Sequence, residues 1–322
     1  RGGGRFTVYP RAWLAYRRRF RGEFDVVVDE INTRPFMAPS FADEPVVALI
    51  HQLAREFWFY ETPFPVSRLG YHWLEDRWLR RYRDVPTMTV SASTRGDLDQ
   101  LGFRDVTVVP EGIDVDPLEA VPEDEKADRP TFLFVGRMGR AKRPDHALEA
   151  FERLRRRLDD AQLHMVGDGY MLEDLRRRAN GGVTFHGHVP ESRKLELMRR
   201  SHVLLVPGVR EGWGLVVTEA NAMGTPAVGY DVHGLRDSIV DGVTGLTCEP
   251  SPQALADRSY ELFTGPRREF AEAALTDARR YDWDRTAREV EAVLRRGERG
   301  ETPVSPTAGD ERHRVGSGGR PP

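Results

Sequence analysis

Short apolar runs rich in β-branched residues recur along this chain, and segments with helical character separate them. Such runs suit strands buried on both faces of a parallel sheet, and their alternation with helices predicts a doubly wound α/β architecture. The first set of runs covers residues 24–30, 45–52, 87–93 and 106–112. The second set covers residues 131–136, 161–167, 183–189, 202–208, 226–231 and 244–250.

A polar stretch at residues 119–130 separates the two sets and has no apolar periodicity, which is typical of a linker. With 322 residues, the chain is long enough for two cores. We therefore expect two Rossmann-like domains facing across a cleft, formed by residues 1–120 and 121–280. A helix at 281–296 should pack back toward the first domain, and the Gly-, Pro- and charge-rich tail at 297–322 should be disordered.

Composition excludes some classes of function. A formal net charge of −3 argues against a nucleic-acid partner. The single cysteine, Cys248, permits no internal disulfide and fits a reducing, cytoplasmic compartment. Residues 55–83 combine aromatic side chains with arginines, which suits packing, sugar stacking or a peripheral membrane contact on the inner face of the membrane.

The stretch at residues 210–226, REGWGLVVTEANAMGTP, follows one of the expected strands. Its glycines precede a helix start, where free backbone N–H groups favour a phosphate. Glu211 belongs to the loop and Glu219 lies about one turn into the helix, so both carboxylates can face one cleft.

Two cations follow another expected strand. Arg137 and Lys142 lie in the loop after residues 131–136, where they can neutralise a diphosphate. The glycine-containing turns at 166–170 and 185–190 can form the walls of a base-binding slot. Neither the G-x-G-x-x-G fingerprint of dinucleotide enzymes nor the P-loop pattern occurs, which argues against a nicotinamide-dependent oxidoreductase.

In combination, these motifs resemble glycosyltransferase family 4, the retaining enzymes of GT-B fold. The resemblance covers roughly residues 24–295 and is strongest over 131–250. The motifs that carry it are VPEGID (109–114), FVGRMGRAKRP (134–144), LHMVGDG (163–169), VTFHGHVP (183–190), REGWGLVVTEANAMGTPAV (210–228), DGVTGLTCEP (241–250) and YDWDRTAREVEAVLRR (281–296). The E-x7-E pair is the most specific of them.

The resemblance implies an enzyme that moves a sugar from a UDP-, GDP- or ADP-sugar to an acceptor hydroxyl, without a metal or other cofactor. The acceptor would be a glycan, a lipid-linked sugar or a small molecule, bound by residues 1–120. Residues 121–280 would bind the donor.

Residue roles follow from the same resemblance. It assigns donor binding to Gly136, Arg137, Lys142, Gly187, Val189, Gly214, Leu215, Val216 and Glu219. The two cations would hold the diphosphate, Glu219 the ribose, and Gly187 with Val189 the base. Glu211 would contact the transferred sugar. His51, at the end of the expected strand 45–52, would lie beside the reacting sugar, although a half-buried structural histidine is an alternative.

Some features depart from the family pattern. Trp213 stands where phenylalanine is usual, Arg143 follows Lys142, and the loop at 231–242 carries His233-Gly234. The family's first glycine-rich loop has no counterpart before Phe24, so we expect the chain to lack its extreme N-terminal segment. Residues 1–9 are expected to lead into a peripheral strand. An inactive or truncated nucleotide-sugar-binding protein and a related sugar-phosphate synthase or phosphorylase remain alternatives.

Overall fold

The structure is a computed structural model that describes residues 7–300. Within this range, ten strands form two sheets, and every ladder between neighbouring strands is parallel. Each strand falls inside one of the ten apolar runs, so the expected α/β architecture with two Rossmann-like units is confirmed.

The first sheet has the order β1-β2-β3-β4, and the second has the order β10-β9-β8-β5-β6-β7. The strands of the first sheet are β1 Val27–Glu30, β2 Val46–Ile50, β3 Thr87–Thr89 and β4 Val106–Val108. Those of the second are β5 Thr131–Val135, β6 Gln162–Val166, β7 Val183–Gly187, β8 Val203–Val206, β9 Ala227–Tyr230 and β10 Gly245–Cys248.

The helices connect these strands in the alternating pattern of a doubly wound fold. Those of the first unit are α1 Val8–Ala15, α2 Phe57–Glu61, α3 Val66–Leu69, α4 Glu75–Leu79 and α5 Ala92–Gln100. Those of the second are α6 Pro144–Leu154, α7 Leu172–Arg178, α8 Glu191–Arg200, α9 Leu215–Ala222, α10 Leu235–Ser238, α11 Pro252–Thr264 and α12 Arg267–Ala278. The last helix is α13 Trp283–Arg299.

The order of the second sheet reverses between β5 and β8. β5 pairs with β6 on one side and with β8 on the other, so the chain winds away from β5 in both directions. In such sheets the loops at the carboxyl ends of the two central strands diverge and leave a crevice for a ligand. The fold therefore places the loops after β5 and β8 around one site.

Helix α6 shows how the sequence builds this core. Pro144 occupies its first turn, where the missing N–H costs nothing. Ala147, Leu148, Phe151 and Leu154 recur at helical spacing and are all buried against the sheet. Full burial of a side chain such as Phe151 stabilises the fold by about 1.5–3 kcal/mol.

Helix α13 returns to the first sheet. Asp282 caps its N-terminus by accepting a hydrogen bond from Arg285 N at 2.8 Å. Further along the helix, Val293 packs with Val47 and Met88 of the first sheet. The helix continues through Arg299, three residues past the expected end at 296, and the rest of the expected tail lies outside the described residues.

The N-terminal expectation of a peripheral strand is wrong for its described part, because α1 begins at Val8. Pro10 lies in the first turn of that helix, a position that tolerates proline. Residues 1–6 lie outside the described range. Between residues 7 and 300, no helix has the length and apolar character that crossing a bilayer requires.

Candidate active site

A pocket of about 370 Å³ lies at the carboxyl ends of β5 and β8, with residues after β2 of the first sheet on its other side. Of the eleven residues assigned from the sequence, eight line it. They are His51, Gly136, Lys142, Glu211, Gly214, Leu215, Val216 and Glu219. The fold therefore brings together residues that are as much as 168 positions apart in the chain (219 − 51).

Glu211 and Lys142 form an ion pair inside this pocket. Lys142 ends a short 3₁₀ turn after β5, and its Nζ donates to both carboxylate oxygens of Glu211, at 2.5 and 2.6 Å. The Glu211 side chain is only 12% exposed. Because Nζ contacts both oxygens, Lys142 holds the largely buried Glu211 side chain in one orientation.

The backbone of Glu211 is fixed by the loop after β9. Glu211 N donates to His233 O at 3.0 Å. Gly234 has φ +81°, and a Cβ on it would come within 2.3 Å of Glu211 O. Only glycine fits this position, which explains why the departure His233-Gly234 keeps its glycine.

Helix α9 begins at the pocket. Gly214 precedes it with φ +101°, a left-handed conformation that glycine adopts without strain. The first-turn N–H groups of Leu215 and Val216 belong to a helix N-terminus, where orphan donors and the helix dipole favour an anion. The expected helix start is confirmed.

Glu219 is paired with a lysine that the sequence did not reveal. Lys194 on α8 donates to Glu219 Oε2 at 2.7 Å and lies 2.8 Å from Glu191. Burial raises the pKa of Glu219 above its ordinary value, although Lys194 opposes that shift. Lys194 lies in no motif and 25 positions from its partner, so local patterns contain no signal for it.

His51 lies between two carboxylates. Its Nδ1 is 3.0 Å from Glu111 Oε1, and its Nε2 is 3.7 Å from Glu30 Oε1. The hydrogen bond with Glu111 raises the pKa of His51, while burial acts in the opposite direction. Glu111 belongs to the VPEGID motif, so its position was visible in the sequence although its role was not.

Arg210 links the two halves of the molecule next to Glu211. Only 4% exposed, it donates from Nε to Glu56 Oε2 at 2.7 Å and from Nη1 to Asp97 Oδ2 at 2.9 Å. Both acids belong to the first unit, beside α2 and on α5. A second contact crosses the cleft where Ser93 N donates to Asp237 Oδ1 at 3.1 Å.

Three assigned residues lie outside the lining of this pocket. Arg137 is exposed on the loop after β5. Gly187 ends β7 with φ +66°, and a Cβ there would meet open space. Val189 packs partly buried against the apolar layer next to α9. Their roles in binding diphosphate and base stay predictions. In the described part of the chain, no group of three or more His, Cys, Asp or Glu side chains is arranged to hold a metal ion.

Comparison with known families identifies the chain. The family described as glycosyl transferases group 1 matches residues 117–280, just over half of its length. The chain belongs to the group 1 glycosyl transferases. It is therefore a transferase enzyme, and the matched residues include the loops after β5 and β8 that form the pocket.

Curated relatives extend the similarity of this transferase beyond the matched segment. Glycogen synthase of Mycobacterium tuberculosis is 29% identical over 308 residues, covering 91% of this chain and 73% of that protein. Phosphatidyl-myo-inositol mannosyltransferase of Mycobacterium leprae is 32% identical over 209 residues, covering 62% of this chain and 55% of that protein.

Solved structures show the same fold. Anabaena Alr3699/HepE in complex with UDP and glucose aligns with a TM-score of 0.70 at 17% identity, covering 89% of this chain and 81% of that chain. Sucrose-phosphate synthase from Thermosynechococcus elongatus aligns with a TM-score of 0.71 at 18% identity, covering 91% of this chain and 79% of that chain. At this level of identity the likeness shows the two-sheet fold of the transferase.

Proposed function

We propose that this transferase is a retaining enzyme of glycosyltransferase family 4, which moves a sugar from a nucleotide-diphosphate sugar to an acceptor hydroxyl. The observation that carries the proposal is the pocket at the switch point, where the Lys142–Glu211 pair faces the N-terminus of α9. Support for a UDP-sugar donor comes from Alr3699/HepE, whose solved complexes contain UDP and UDP-glucose.

In this proposal the pocket binds the donor through both halves of the nucleotide sugar. Lys142, Arg137 and the first-turn N–H groups of α9 stabilise the diphosphate, and Glu219 accepts hydrogen bonds from the ribose hydroxyls. Gly187, the last residue of β7, and Val189, just beyond the strand, contact the base. Gly136 lies at the end of β5, where a side chain would crowd the phosphates.

The reaction breaks the bond between the anomeric carbon and the diphosphate oxygen. The diphosphate leaves with the electron pair, while the acceptor oxygen bonds the anomeric carbon and its proton leaves with the diphosphate. The protein supplies positive charge to the leaving group and holds the substrates together. Glu211 orients the sugar through its hydroxyls, and His51 lies beside the reacting carbon. In this scheme the chain's own cations neutralise the diphosphate, so the reaction needs no metal ion. Turnover that is unchanged in EDTA is the expected result.

We assign the acceptor to residues 1–120 and the donor to residues 121–280, with the helix of residues 281–296 joining them. Contacts of α13 with the first sheet support this arrangement. We also propose a cytoplasmic enzyme that touches membranes only peripherally, through exposed side chains such as Phe64 and Trp73. Flotation with anionic vesicles tests that contact, and a protein that remains entirely in the unbound fraction would rule it out.

The central test is loss of transfer without loss of folding. UDP-, GDP- and ADP-sugars are first screened for the one that raises the melting temperature most, since a ligand of the folded state stabilises it. With that donor, Glu211→Ala and Arg137→Ala should each lower kcat/KM about 100-fold or more. Glu249→Ala, an exposed acid outside the pocket, is the control.

Two outcomes would replace the proposal. Binding of a nucleotide sugar with no turnover on any acceptor would indicate a binding protein. Turnover only with a sugar phosphate as acceptor, or with inorganic phosphate, would indicate a sugar-phosphate synthase or phosphorylase. Normal transfer after both substitutions would refute the site assignment, and the anomeric configuration of the product, measured by NMR, decides between retention and inversion.

A further inference from the structure

A second and larger cavity, of about 660 Å³, opens at the carboxyl ends of β1 and β2 in the first unit. Its size lies in the range of sites for small molecules, about 300–1,000 Å³. No residue of this cavity belongs to the eleven assigned from the sequence.

The cavity meets the pocket at the carboxyl ends of β5 and β8, called the donor pocket from here on, at one residue. Gln52 lines both, and it directly follows His51 at the end of β2. Among the described residues, the buried Oε1 atom of Gln52 has no hydrogen-bond partner. A buried amide oxygen without a donor is costly, so a hydroxyl placed there by a ligand would satisfy it. Glu30, 3.7 Å from His51 Nε2, lines the cavity at the same junction.

Aromatic rings form much of the wall. Trp58 and Trp78 lie with their ring centroids 6.5 Å apart, and Tyr9 and Phe36 lie 4.9 Å apart. Arg34 stacks 4.5 Å above Tyr9 and 5.8 Å above Trp78, which closes one side. Flat apolar faces suit the C–H face of a pyranose ring, and amide and carboxylate groups among them suit its hydroxyls.

The wall is preformed. Asp29 at β1 is only 3% exposed and accepts hydrogen bonds from Phe36 N at 3.2 Å and Ala38 N at 3.0 Å. It also accepts a hydrogen bond from Tyr82 Oη at 2.5 Å. These bonds hold the loop that presents Arg34 and Phe36 to the cavity, so little ordering is needed when a ligand enters.

Charge narrows the class of ligand. The lining contains two carboxylates, Glu30 and Glu61, and one cation, Arg34. The cation is already engaged with two aromatic rings. The formal charge of the lining is therefore −1. Electrostatic repulsion from it disfavours binding of a phosphorylated acceptor or an anionic lipid headgroup.

We propose that this cavity is the acceptor site and that its ligand is an uncharged sugar. The proposal rests on the transferase function argued above. The ring of the acceptor stacks on Trp78, and its reacting hydroxyl passes Gln52 to reach the sugar beside His51. Gln52 positions the hydroxyl by a hydrogen bond, and the transfer itself follows the bond changes already described.

Calorimetry tests the ligand class in the presence of a saturating concentration of the nucleoside diphosphate whose sugar the thermal-shift screen selects. The neutral probes are the methyl α-glycosides of glucose, mannose and N-acetylglucosamine, together with maltotriose. The anionic probes are inositol 3-phosphate and glycerol 3-phosphate, which are soluble and so exclude a contribution from membrane contact. We expect at least one neutral probe to bind. Preferential binding of an anionic probe, or binding of none of the neutral ones, would overturn the proposal.

Substitutions locate the binding. Trp78→Ala and Asn32→Ala should each lower the affinity for the neutral probe. The tryptophan substitution should lower it by about tenfold, since stacking and burial are lost together. Asn32 is exposed on the loop after β1, so its truncation leaves folding intact. Trp73→Ala is the matched control, because Trp73 is 68% exposed and lies outside the cavity. Equal affinities in the Trp78→Ala, Asn32→Ala and control proteins would refute the site.

Gln52→Ala tests whether Gln52 positions the reacting hydroxyl or only packs against the acceptor. It should lower kcat more than it raises the KM of the neutral acceptor, because the hydroxyl is bound but poorly placed. UDP, GDP and ADP titrated into the same samples keep the two proposals apart. If one of them binds and Glu219→Ala weakens its binding while no sugar binds, the acceptor inference alone fails. If none of the three binds, the proposed function fails.

Discussion

The donor pocket and the cavity of the first unit differ in how their polar groups are satisfied. In the donor pocket, Glu211, Glu219 and His51 each have a charged partner before any ligand is present. In the cavity, Arg34 faces aromatic rings and Gln52 Oε1 has no partner among the described residues. These differences fit the proposals that the first binds a charged leaving group and that the second binds an uncharged ring by stacking.

Removing one cation from each region gives the largest contrast. Lys142→Met deletes one of the two cations proposed to bind the diphosphate and leaves Glu211 largely buried without its partner. We expect kcat to fall about 10²–10³-fold, as when one donor to a developing anion is lost. Arg34→Met keeps an apolar side chain over the rings and should change kcat by less than about tenfold.

Steady-state kinetics with the donor chosen by thermal shift measures both variants. Circular dichroism confirms that each is folded. If Arg34→Met reduced kcat as much as Lys142→Met, the cavity would not be the weakly charged site described here, and an anionic acceptor would regain support.

The two regions also differ in how far the sequence predicts them. Most donor-pocket residues lie in a contiguous motif that follows an apolar run, and His51 and Gln52 end the run at 45–52, so topology alone places them together. The sheet places the loops after β1 and β2 side by side, but only tertiary packing brings Tyr9, α2 and α4 to them as the other walls of the cavity. The ten strands follow from local hydrophobicity. In contrast, Val8 begins α1 in place of the expected strand, and within residues 7–300 the segment at 8–15 pairs with no strand.

The partners in ion pairs across the cleft cannot be predicted from the sequence for the same reason. Arg210 reaches Glu56 and Asp97, which lie 154 and 113 positions away. Nothing in the chemistry of an arginine next to Glu211 specifies that it turns toward the other domain. A single sequence therefore predicts which residues line the donor pocket better than which residues hold the cleft together.

Arg210→Ala tests whether the two regions depend on a common closure. It removes a buried cation and leaves Asp97, with a side chain 13% exposed, without that partner. Breaking such a pair should cost about 3 kcal/mol of stability and enlarge the radius of gyration if the cleft opens. Arg236→Ala breaks the pair with Asp231, both of which are about half exposed, and should cost less than about 1 kcal/mol.

Denaturant unfolding and small-angle scattering measure these effects. Asp97→Asn combined with Arg210→Ala completes a double-mutant cycle, in which the coupling energy isolates the contact across the cleft. A coupling near zero, with an unchanged radius of gyration, would show that Arg210 does not hold the two regions together.

The smallest effect concerns the histidine at the border of the two regions. Glu111→Gln removes the group that raises the pKa of His51, so that pKa should fall, as followed by NMR titration. A histidine whose folded pKa is raised contributes its stability fully below its unfolded value, near 6.5, and loses that contribution as the pH rises through the folded pKa. Glu111→Gln should therefore be less stable than the unsubstituted protein near pH 6, and the difference should close at higher pH.

Glu30→Gln is the matched change on the cavity side of His51. Its carboxylate lies 3.7 Å from Nε2, compared with 3.0 Å between Glu111 and Nδ1, and it is 56% exposed where Glu111 is 19% exposed. Solvent screens the more exposed carboxylate, so Glu30→Gln should lower the pKa of His51 less than Glu111→Gln does. If the two variants shifted the pKa of His51 equally, His51 would interact with the cavity as strongly as with the donor pocket. Gln52 would then not mark the boundary between the two regions.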